Sequence, residues 1–210
     1  MRVVAIIPAF NEEKYIGDVL TVLTEAELIN TIVVVSDGST DGTVNVCREY
    51  GVTAIKLEEN KGKGAAMKAG LDSVEADIIL FLDADLIGLT KEHVNSLLMP
   101  VIKGEAEMTI GIFDKGRFAT DLAQKVAPYL SGQRAVKKTV LENISNMDIS
   151  RFGVEIALTK MIEEKGVKTK EVLLRDMSHV MKEEKMGLIK GIAARIVMYW
   201  EIVKCFTRND

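Results

Sequence analysis

The sequence predicts an α/β fold with a mainly parallel central sheet, helices on both faces and a helical extension at the C-terminus. Short runs rich in β-branched residues alternate with helical patterns through the first hundred residues. The strand runs are residues 3–7, 32–35, 54–57 and 78–82, and the helical stretches are residues 13–25, 43–50, 65–74 and 91–103. Strands that are apolar throughout are buried on both faces, and right-handed crossovers place helices on both sides of such a sheet.

The second half of the chain is less regular. Strands are predicted at residues 107–113, 130–136 and 169–174, and helices at 118–129, 154–165 and 185–206. The length of 210 residues fits one domain, so we expect a single domain over residues 1–210 with a terminal helix at 185–210.

Composition narrows the class of protein. The 27 basic and 31 acidic residues give a net charge of −4, whereas a nucleic-acid binder should carry a basic surplus. Cys47 and Cys205 match no metal-ligand spacing and imply no disulfide framework, so a cytoplasmic protein is expected. No run of about 18 apolar residues occurs, so no transmembrane helix is predicted.

Polar residues follow each of the first four predicted strands. After the first strand come Pro8, Ala9, Phe10, Asn11 and Glu12, and residues 36–42, 59–64 and 83–85 follow the next three. Ligands of open α/β sheets bind at the carboxyl ends of the strands. We therefore expect these four loops to form one binding site.

The triplet Asp83, Ala84 and Asp85 is the most informative of these loops. Two carboxylates that flank a small residue at a strand end can both reach one hard cation, and Mg²⁺ or Mn²⁺ prefers such oxygen ligands. The alternative is a solvated turn or a helix cap, where Asp is common. The position after a buried strand, beside three other polar loops, favours the metal site.

The second and third loops offer ligands for a nucleotide. Asp37 could accept a hydrogen bond from a base, whereas Asp41 is expected mainly to cap the next helix. Lys61, Gly62 and Lys63 open a helix, where backbone N–H groups and positive charge favour an anion. A surface turn with solvated lysines is the alternative for this last group.

The second half contributes further candidates. Arg134 suits a carboxylate or phosphate, which it can hold with two parallel hydrogen bonds, and it would line an acceptor pocket together with Ser131, Gly132 and Gln133. Glu155 begins a helix and could be a base, a hydroxyl-binding group or a residue favoured by the helix dipole. His179 follows a strand and could be a metal ligand or a surface loop residue.

In their order and spacing, the four loops resemble those of the GT-A nucleotide-sugar glycosyltransferases of the family-2-like group. The resemblance covers about the first 90 residues and implies a GT-A α/β/α sandwich in which residues 1–115 bind the nucleotide sugar and residues 116–184 bind the acceptor. The second half is similar to the glucosyl-3-phosphoglycerate synthases and their mannosyl relatives, through Ser131, Gly132, residues 153–156 and His179. It is also similar to the polyprenyl-phosphate sugar synthases.

These resemblances imply a transfer of hexose from a UDP- or GDP-sugar to a small phosphorylated acceptor or, alternatively, to a lipid phosphate at a membrane. They imply that Asp85 and His179 bind Mg²⁺ or Mn²⁺, with Asp83 on the metal or the ribose. Asp37 would face the base and Lys61 the nucleotide. Since no pair of acidic residues typical of inverting relatives is found, a retaining route is expected, with Glu155 binding sugar hydroxyls. A nucleotidyltransferase and a non-catalytic nucleotide-binding protein are the rivals.

The terminal helix carries an apolar stripe with basic residues among it. Its apolar residues are Ile189, Ile192, Ala193, Ile196, Val197, Trp200, Val203 and Phe206. We expect it to pack on the domain or on a partner in a homodimer. Attachment to a membrane surface is the alternative, because a basic amphipathic helix with Trp can lie in the interface.

Overall fold

Residues 1–114, 131–142 and 166–180 are described by the structure, which is a computed structural model. The chain divides into two compact units, Met1–Ser178 and His179–Asp210, and the architecture below is that of the first unit. The predicted helices at 118–129, 154–165 and 185–206 lie outside the described residues, as does Glu155.

The four β-branched runs form the parallel part of a central sheet. They are β1 (Val3–Ala9), β2 (Thr31–Asp37), β3 (Thr53–Leu57) and β4 (Ile78–Phe81), which lie side by side in the order β3-β2-β1-β4. The pairs β1·β2, β1·β4 and β2·β3 are all parallel, so the carboxyl ends of these strands meet at one edge. The predicted α/β fold with a mainly parallel sheet is confirmed.

Three later strands complete this sheet, which contains seven of the described strands. β6 (Met108–Phe113), β7 (Arg134–Lys137) and β8 (Thr169–Leu174) extend it in the order β4-β7-β6-β8. β7 runs antiparallel to both of its neighbours, whereas β8 is parallel to β6. The short strand β5 (Leu86–Ile87) lies outside this sheet.

Helices connect the parallel strands as the pattern predicts. They are α1 (Ile16–Thr24), α2 (Thr43–Glu49), α3 (Lys63–Asp72) and α4 (Lys91–Ile102), with a short α5 (Lys138–Glu142) after β7. Helix α1 begins three residues later than residue 13, because Tyr15 and Ile16 both donate their N–H groups to the carbonyl of Glu12 and form a turn there. Helix α3 begins earlier than residue 65, so Lys63 lies in its first turn.

Both faces of the sheet are covered by apolar packing. Val3, Ala5 and Ile7 of β1 belong to one hydrophobic cluster with α1 and α4, whereas Val4 and Ile6 belong to a second cluster with α3. Successive side chains of a strand point to opposite faces, so this division shows that β1 is buried on both sides. No helix within the described ranges combines the length and apolar character needed to cross a bilayer.

Candidate active site

The first loop, residues 8–13, is tied to the second loop, residues 36–42, through Asn11. Asn11 has a positive φ of 56°, which brings its side chain and its own N–H toward the second loop. Its N–H donates to Ser39 Oγ at 3.0 Å, and its Oδ1 accepts the N–H of Thr40 at 2.9 Å. Asn is one of the few residues that tolerates this backbone region, so the sequence suits the turn.

Three further contacts brace the same pair of loops. The N–H of Glu12 donates to Thr43 Oγ1 at 2.9 Å, and the N–H of Glu13 donates to Asp41 Oδ2 at 3.1 Å. The Glu13 carboxylate in turn accepts the N–H of Gly42 at 3.0 Å. The two loops are therefore fixed to each other by hydrogen bonds of the protein itself.

Asp41 lies one residue before the N-cap position of α2, which is Gly42, so it meets the helix start through Thr43 and not as the predicted N-cap residue. Its Oδ1 accepts the N–H of Thr43 at 3.0 Å and the hydroxyl of the same residue. Burial pushes the pKa of Asp41 upward, but the hydrogen bonds from Thr43 and from the Glu13 N–H outweigh burial and lower that pKa below its usual value.

The carboxylate of Asp37 clamps the third loop, residues 59–64, to the end of β2. Its two oxygens accept the N–H groups of Lys61 and Gly62, each at 2.8 Å, and the residue is 3% exposed. Gly38 next to it has a φ of +69°, and a Cβ there would lie 2.5 Å from the backbone N of Asn60. The structure thus shows a bracing role for Asp37, and its contact with a base stays a prediction.

The two lysines of the third loop differ in their surroundings. The side chain of Lys61 is 57% exposed and its Nζ lies 3.7 Å from Glu59 Oε1. The Nζ of Lys63 instead lies 2.6 Å from Asp83 Oδ1. Of the two lysines, Lys63 is the one that contacts the aspartate triplet.

The Asp83-Ala84-Asp85 triplet directly follows β4 and Leu82. Leu82, Ala84 and Leu86 are buried while Asp83 and Asp85 are half-buried, so burial alternates along the chain. Ala84 and Asp85 lie in a turn, and the carboxylates of Asp83 and Asp85 lie close together. One oxygen of each lies within 4.8 Å of the other, which is close enough for two ligands of one ion.

The segment predicted to bind the acceptor lies against Asp83. The Nε2 of Gln133 donates to Asp83 Oδ2 at 2.8 Å, and a Cβ on Gly132 would lie 2.7 Å from both Asp83 oxygens. Arg134 is 1% exposed and begins β7, and its Nε donates to the carbonyl of Ser131 at 2.9 Å. The structure therefore places Arg134 in the sheet, where its guanidinium group supports the backbone at Ser131. Its predicted catalytic role stays a prediction.

The chain that leads to His179 passes close to Gly88, three residues after Asp85. Met177 is fully buried in the same hydrophobic cluster as Ala84 and Leu86. Gly88, with a φ of +77°, approaches the Asp176 carbonyl so closely that a Cβ would lie 2.5 Å from its oxygen. His179 itself is the first residue of the second unit, so its role as a metal ligand stays a prediction.

Two relationships in this site were missed in the sequence. Glu13 accepts the N–H of Gly42, and Gln133 reaches Asp83 across 50 residues of sequence. The first had no signal in the sequence, because it depends on how closely the two loops approach each other. The second had none, because it depends on which strand pairs with β4.

Residues 4–155 match the model of the family described as Glycosyl transferase family 2. The chain belongs to this family. The predicted resemblance is thereby confirmed.

Comparison with curated glycosyltransferases gives shorter matches. The 4,4'-diaponeurosporenoate glycosyltransferase of Staphylococcus aureus (strain USA300) is 37% identical over 98 residues, which are 44% of this chain and 26% of that protein. The chain thus spans about a quarter of the length of the curated relatives that it matches.

Solved structures match over more of the chain. Glucosyl-3-phosphoglycerate synthase of Mycobacterium tuberculosis, in complex with Mn²⁺, UDP and glucosyl-3-phosphoglycerate, is 26% identical with a TM-score of 0.72, covering 85% of this chain and 72% of that one. The same enzyme with Mn²⁺, UDP-glucose and glycerol 3-phosphate is 25% identical, with the same TM-score and the same two coverages. Its complex with Mg²⁺ and UDP is 26% identical, with a TM-score of 0.72 and coverages of 85% and 71%. The GT-A fold is confirmed.

Proposed function

We propose that the protein transfers a hexose from a nucleoside diphosphate sugar to a small phosphorylated acceptor in a reaction that depends on Mg²⁺ or Mn²⁺. The observation that carries this proposal is the pair of carboxylates of Asp83 and Asp85 at the carboxyl end of β4, beside Lys63 and the braced loops. Family membership supports the transfer, and the ligands of the tuberculosis enzyme support the class of donor and acceptor.

The donor set fits a hard divalent cation. Asp83 and Asp85 supply carboxylate oxygens, which Mg²⁺ and Mn²⁺ prefer, and they leave room for phosphate oxygens in the same shell. His179 is the third candidate ligand, because the resemblance to the glucosyl-3-phosphoglycerate synthases implies a late metal-binding histidine at this position. A bound cation of this kind supplies Lewis-acid stabilisation of the charge that develops on the leaving diphosphate.

Residues of the chain would bind and orient the donor. The first-turn N–H groups of α3 have no partner within the helix, and a helix N-terminus attracts an anion such as a diphosphate. Lys63 adds a positive charge at the same place, next to Asp83. The first and second loops, already fixed to each other, would receive the nucleoside without first having to be ordered.

Two observations support the proposed acceptor class. Residues 131–134 lie against Asp83, and the tuberculosis enzyme has been solved with phosphoglyceric acid and with glycerol 3-phosphate. A lipid phosphate is the second acceptor class to test, because the predicted terminal helix is basic and amphipathic. We also propose retention of the anomeric configuration, with Glu155 on the sugar hydroxyls, and a homodimer. The anomeric proton of the product, observed by NMR, decides between retention and inversion.

The test is a transfer assay with UDP- and GDP-sugars, with Mn²⁺ or Mg²⁺, and with 3-phosphoglycerate, glycerol 3-phosphate and polyprenyl phosphate as acceptors. We expect one acceptor to be glycosylated with release of nucleoside diphosphate, and the activity to be lost with a chelator and in Asp85→Asn. Asp72→Asn, at an exposed ion pair with Lys68, is the matched control and should keep full activity.

Two outcomes would count against this function. Release of sugar 1-phosphate would indicate a nucleotidyltransferase, because that reaction breaks the bond between the two phosphates and moves the nucleoside monophosphate to the acceptor. Absence of both transfer and metal-dependent hydrolysis with every nucleotide sugar would indicate a non-catalytic protein.

A further inference from the structure

Gln133 makes a direct hydrogen bond across the site. Its Nε2 lies 2.8 Å from Asp83 Oδ2, although the two residues are 50 positions apart in sequence. Gln133 is completely buried, whereas the Asp83 side chain is 17% exposed. The contact therefore joins a side chain fixed in the interior to a carboxylate that faces the site.

The amide of Gln133 is held in one orientation. Ser131 Oγ lies 3.1 Å from Gln133 Oε1 and also accepts the N–H of Gln133 at 3.3 Å. The Ser131 hydroxyl also donates to the carbonyl of Gly111, so its single hydrogen is shared between these two acceptors and the orientation of the amide is decided at Asp83. Reversing the amide would turn its oxygen, an acceptor only, toward the carboxylate of Asp83, so the nitrogen faces Asp83.

Asp83 is held from two sides by groups of different charge. Lys63 contacts Oδ1 with a full positive charge, at 2.6 Å, and Gln133 contacts Oδ2 with a neutral amide. The ammonium group of Lys63 would be attracted to a diphosphate bound in the site. The same positive charge repels a cation bound to the carboxylate of Asp83. The amide contact has no charge to compete with the cation, so it can persist when the site is filled.

We propose that Gln133 is a positioning residue that holds the carboxylate of Asp83 in the orientation in which it meets the nucleotide sugar and its cation. The segment predicted to bind the acceptor thereby sets the geometry of the donor site. This role rests on the proposed function. A glutamine serves it because a glutamate at the same position would place a second carboxylate against Asp83.

The experiment uses the full chain with Gln133→Met and Gln133→Glu, and Thr109→Val as the matched control. Thr109 is a buried polar residue of β6 whose hydroxyl donates to the carbonyl of Leu97 and accepts the N–H of Ala135. Binding of UDP, and separately of GDP, is measured by calorimetry with saturating Mn²⁺. Thermal unfolding of each variant reports folding.

We expect Gln133→Met to weaken binding about tenfold, the size of a lost hydrogen bond to a charged group, and Gln133→Glu to weaken it further. Thr109→Val should lower the melting temperature yet keep the dissociation constant within twofold of wild type. The same dissociation constant in Gln133→Met as in wild type would overturn the positioning role. A parallel tenfold loss in Thr109→Val would also overturn it, since the effect would then be a general loss of packing.

A cycle of urea unfolding with Gln133→Met, Asp83→Ala and the double variant tests the contact without any ligand. The losses should be non-additive, because each single variant already breaks the same hydrogen bond. Additive losses would overturn the inference whatever the binding data show. If wild type binds neither nucleotide while the cycle is non-additive, the proposed function fails and the donor-positioning role fails with it. If wild type binds a nucleotide and Gln133→Met binds it equally well, only the positioning role fails and the proposed function stands.

Discussion

The ammonium group of Lys63 lies 2.6 Å from Asp83 Oδ1 and so neutralises one of the two carboxylates that are proposed to hold the cation. Lys63 reaches this position because it lies in the first turn of α3, directly after Gly62, whose φ is +92°. The lysine and a cation therefore compete for the same carboxylate.

Lys63→Met should strengthen the binding of Mn²⁺ in the absence of nucleotide by at least about tenfold, because removal of a positive charge within a few ångströms of the ion lowers the repulsion. The same variant should bind UDP with Mn²⁺ more weakly, since the diphosphate loses a cationic partner. Titration with Mn²⁺ followed by electron paramagnetic resonance measures the first effect. Lys68→Met, at the exposed pair with Asp72, is the control, and equal affinities in all three proteins would contradict the competition.

Gly38→Ala and Gly51→Ala together measure how much stability is lost when a side chain is added at a glycine with a positive φ. Both have a positive φ, +69° and +66°, but a Cβ on Gly38 would meet the backbone of Asn60 at 2.5 Å whereas one on Gly51 would meet nothing within 4 Å. We expect Gly51→Ala to reduce the free energy of unfolding by about 1 kcal/mol. Gly38→Ala should reduce it by at least about 3 kcal/mol because it adds a backbone clash. Urea denaturation measures both losses, and similar losses would refute the close approach of the second and third loops.

Asp37→Asn tests the clamp between β2 and the third loop. An asparagine has one acceptor oxygen, so its amide nitrogen would face the N–H of either Lys61 or Gly62. We expect the free energy of unfolding to fall by about 2 kcal/mol. Asp72→Asn, at an exposed pair, should change it by less than about 1 kcal/mol. If the Asp37 variant were as stable as the Asp72 variant, the clamp would contribute nothing.

We predict that the protein loses stability at alkaline pH because of the buried thiol of Cys47. Its thiol is fully buried in α2, and burial raises the pKa of Cys47 from 9.0 to about 11. Since the folded pKa lies above the unfolded one, the unfolded chain releases the proton first, and stability contributed by the thiol is lost as the pH rises from about 9 to about 11.

In Cys47→Ala, the free energy of unfolding should depend less steeply on pH across this window than in wild type. Urea denaturation at a series of pH values gives the two slopes. A background of Cys205→Ser in both proteins removes the second thiol from the comparison. Identical slopes would show that Cys47 titrates alike in the folded and unfolded chains.

The sequence was sufficient for the fold because burial on both sides leaves a visible trace. Every residue of β4 is apolar and buried, and the polar residues that follow could only lie at the strand end. The positions of Asp83 and Asp85 follow from that pattern, and so does the parallel direction of the first four strands. The strand β8 is likewise predicted with its observed bounds, Thr169–Leu174.

The roles of individual polar residues were harder to predict, because one residue type serves several purposes. Asp37 was expected to face a ligand, and a carboxylate that clamps a loop has the same local sequence. The contact of Gln133 with Asp83 depends on the pairing of β4 with β7, which is a property of the tertiary topology. Local periodicity contains no information about such distant pairings.

β7 is synthesised more than 50 residues after β4, the strand with which it pairs, and this has a consequence for the nascent chain. β7 pairs with β4 on one side and β6 on the other, so β4 has an open edge until residues 134–137 have been synthesised. All four residues of β4 are apolar, and an open edge of this kind is a template for pairing with another chain. A ribosome-bound or proteolytic fragment that stops before β7 should therefore aggregate, even though its first four strands already have their parallel order.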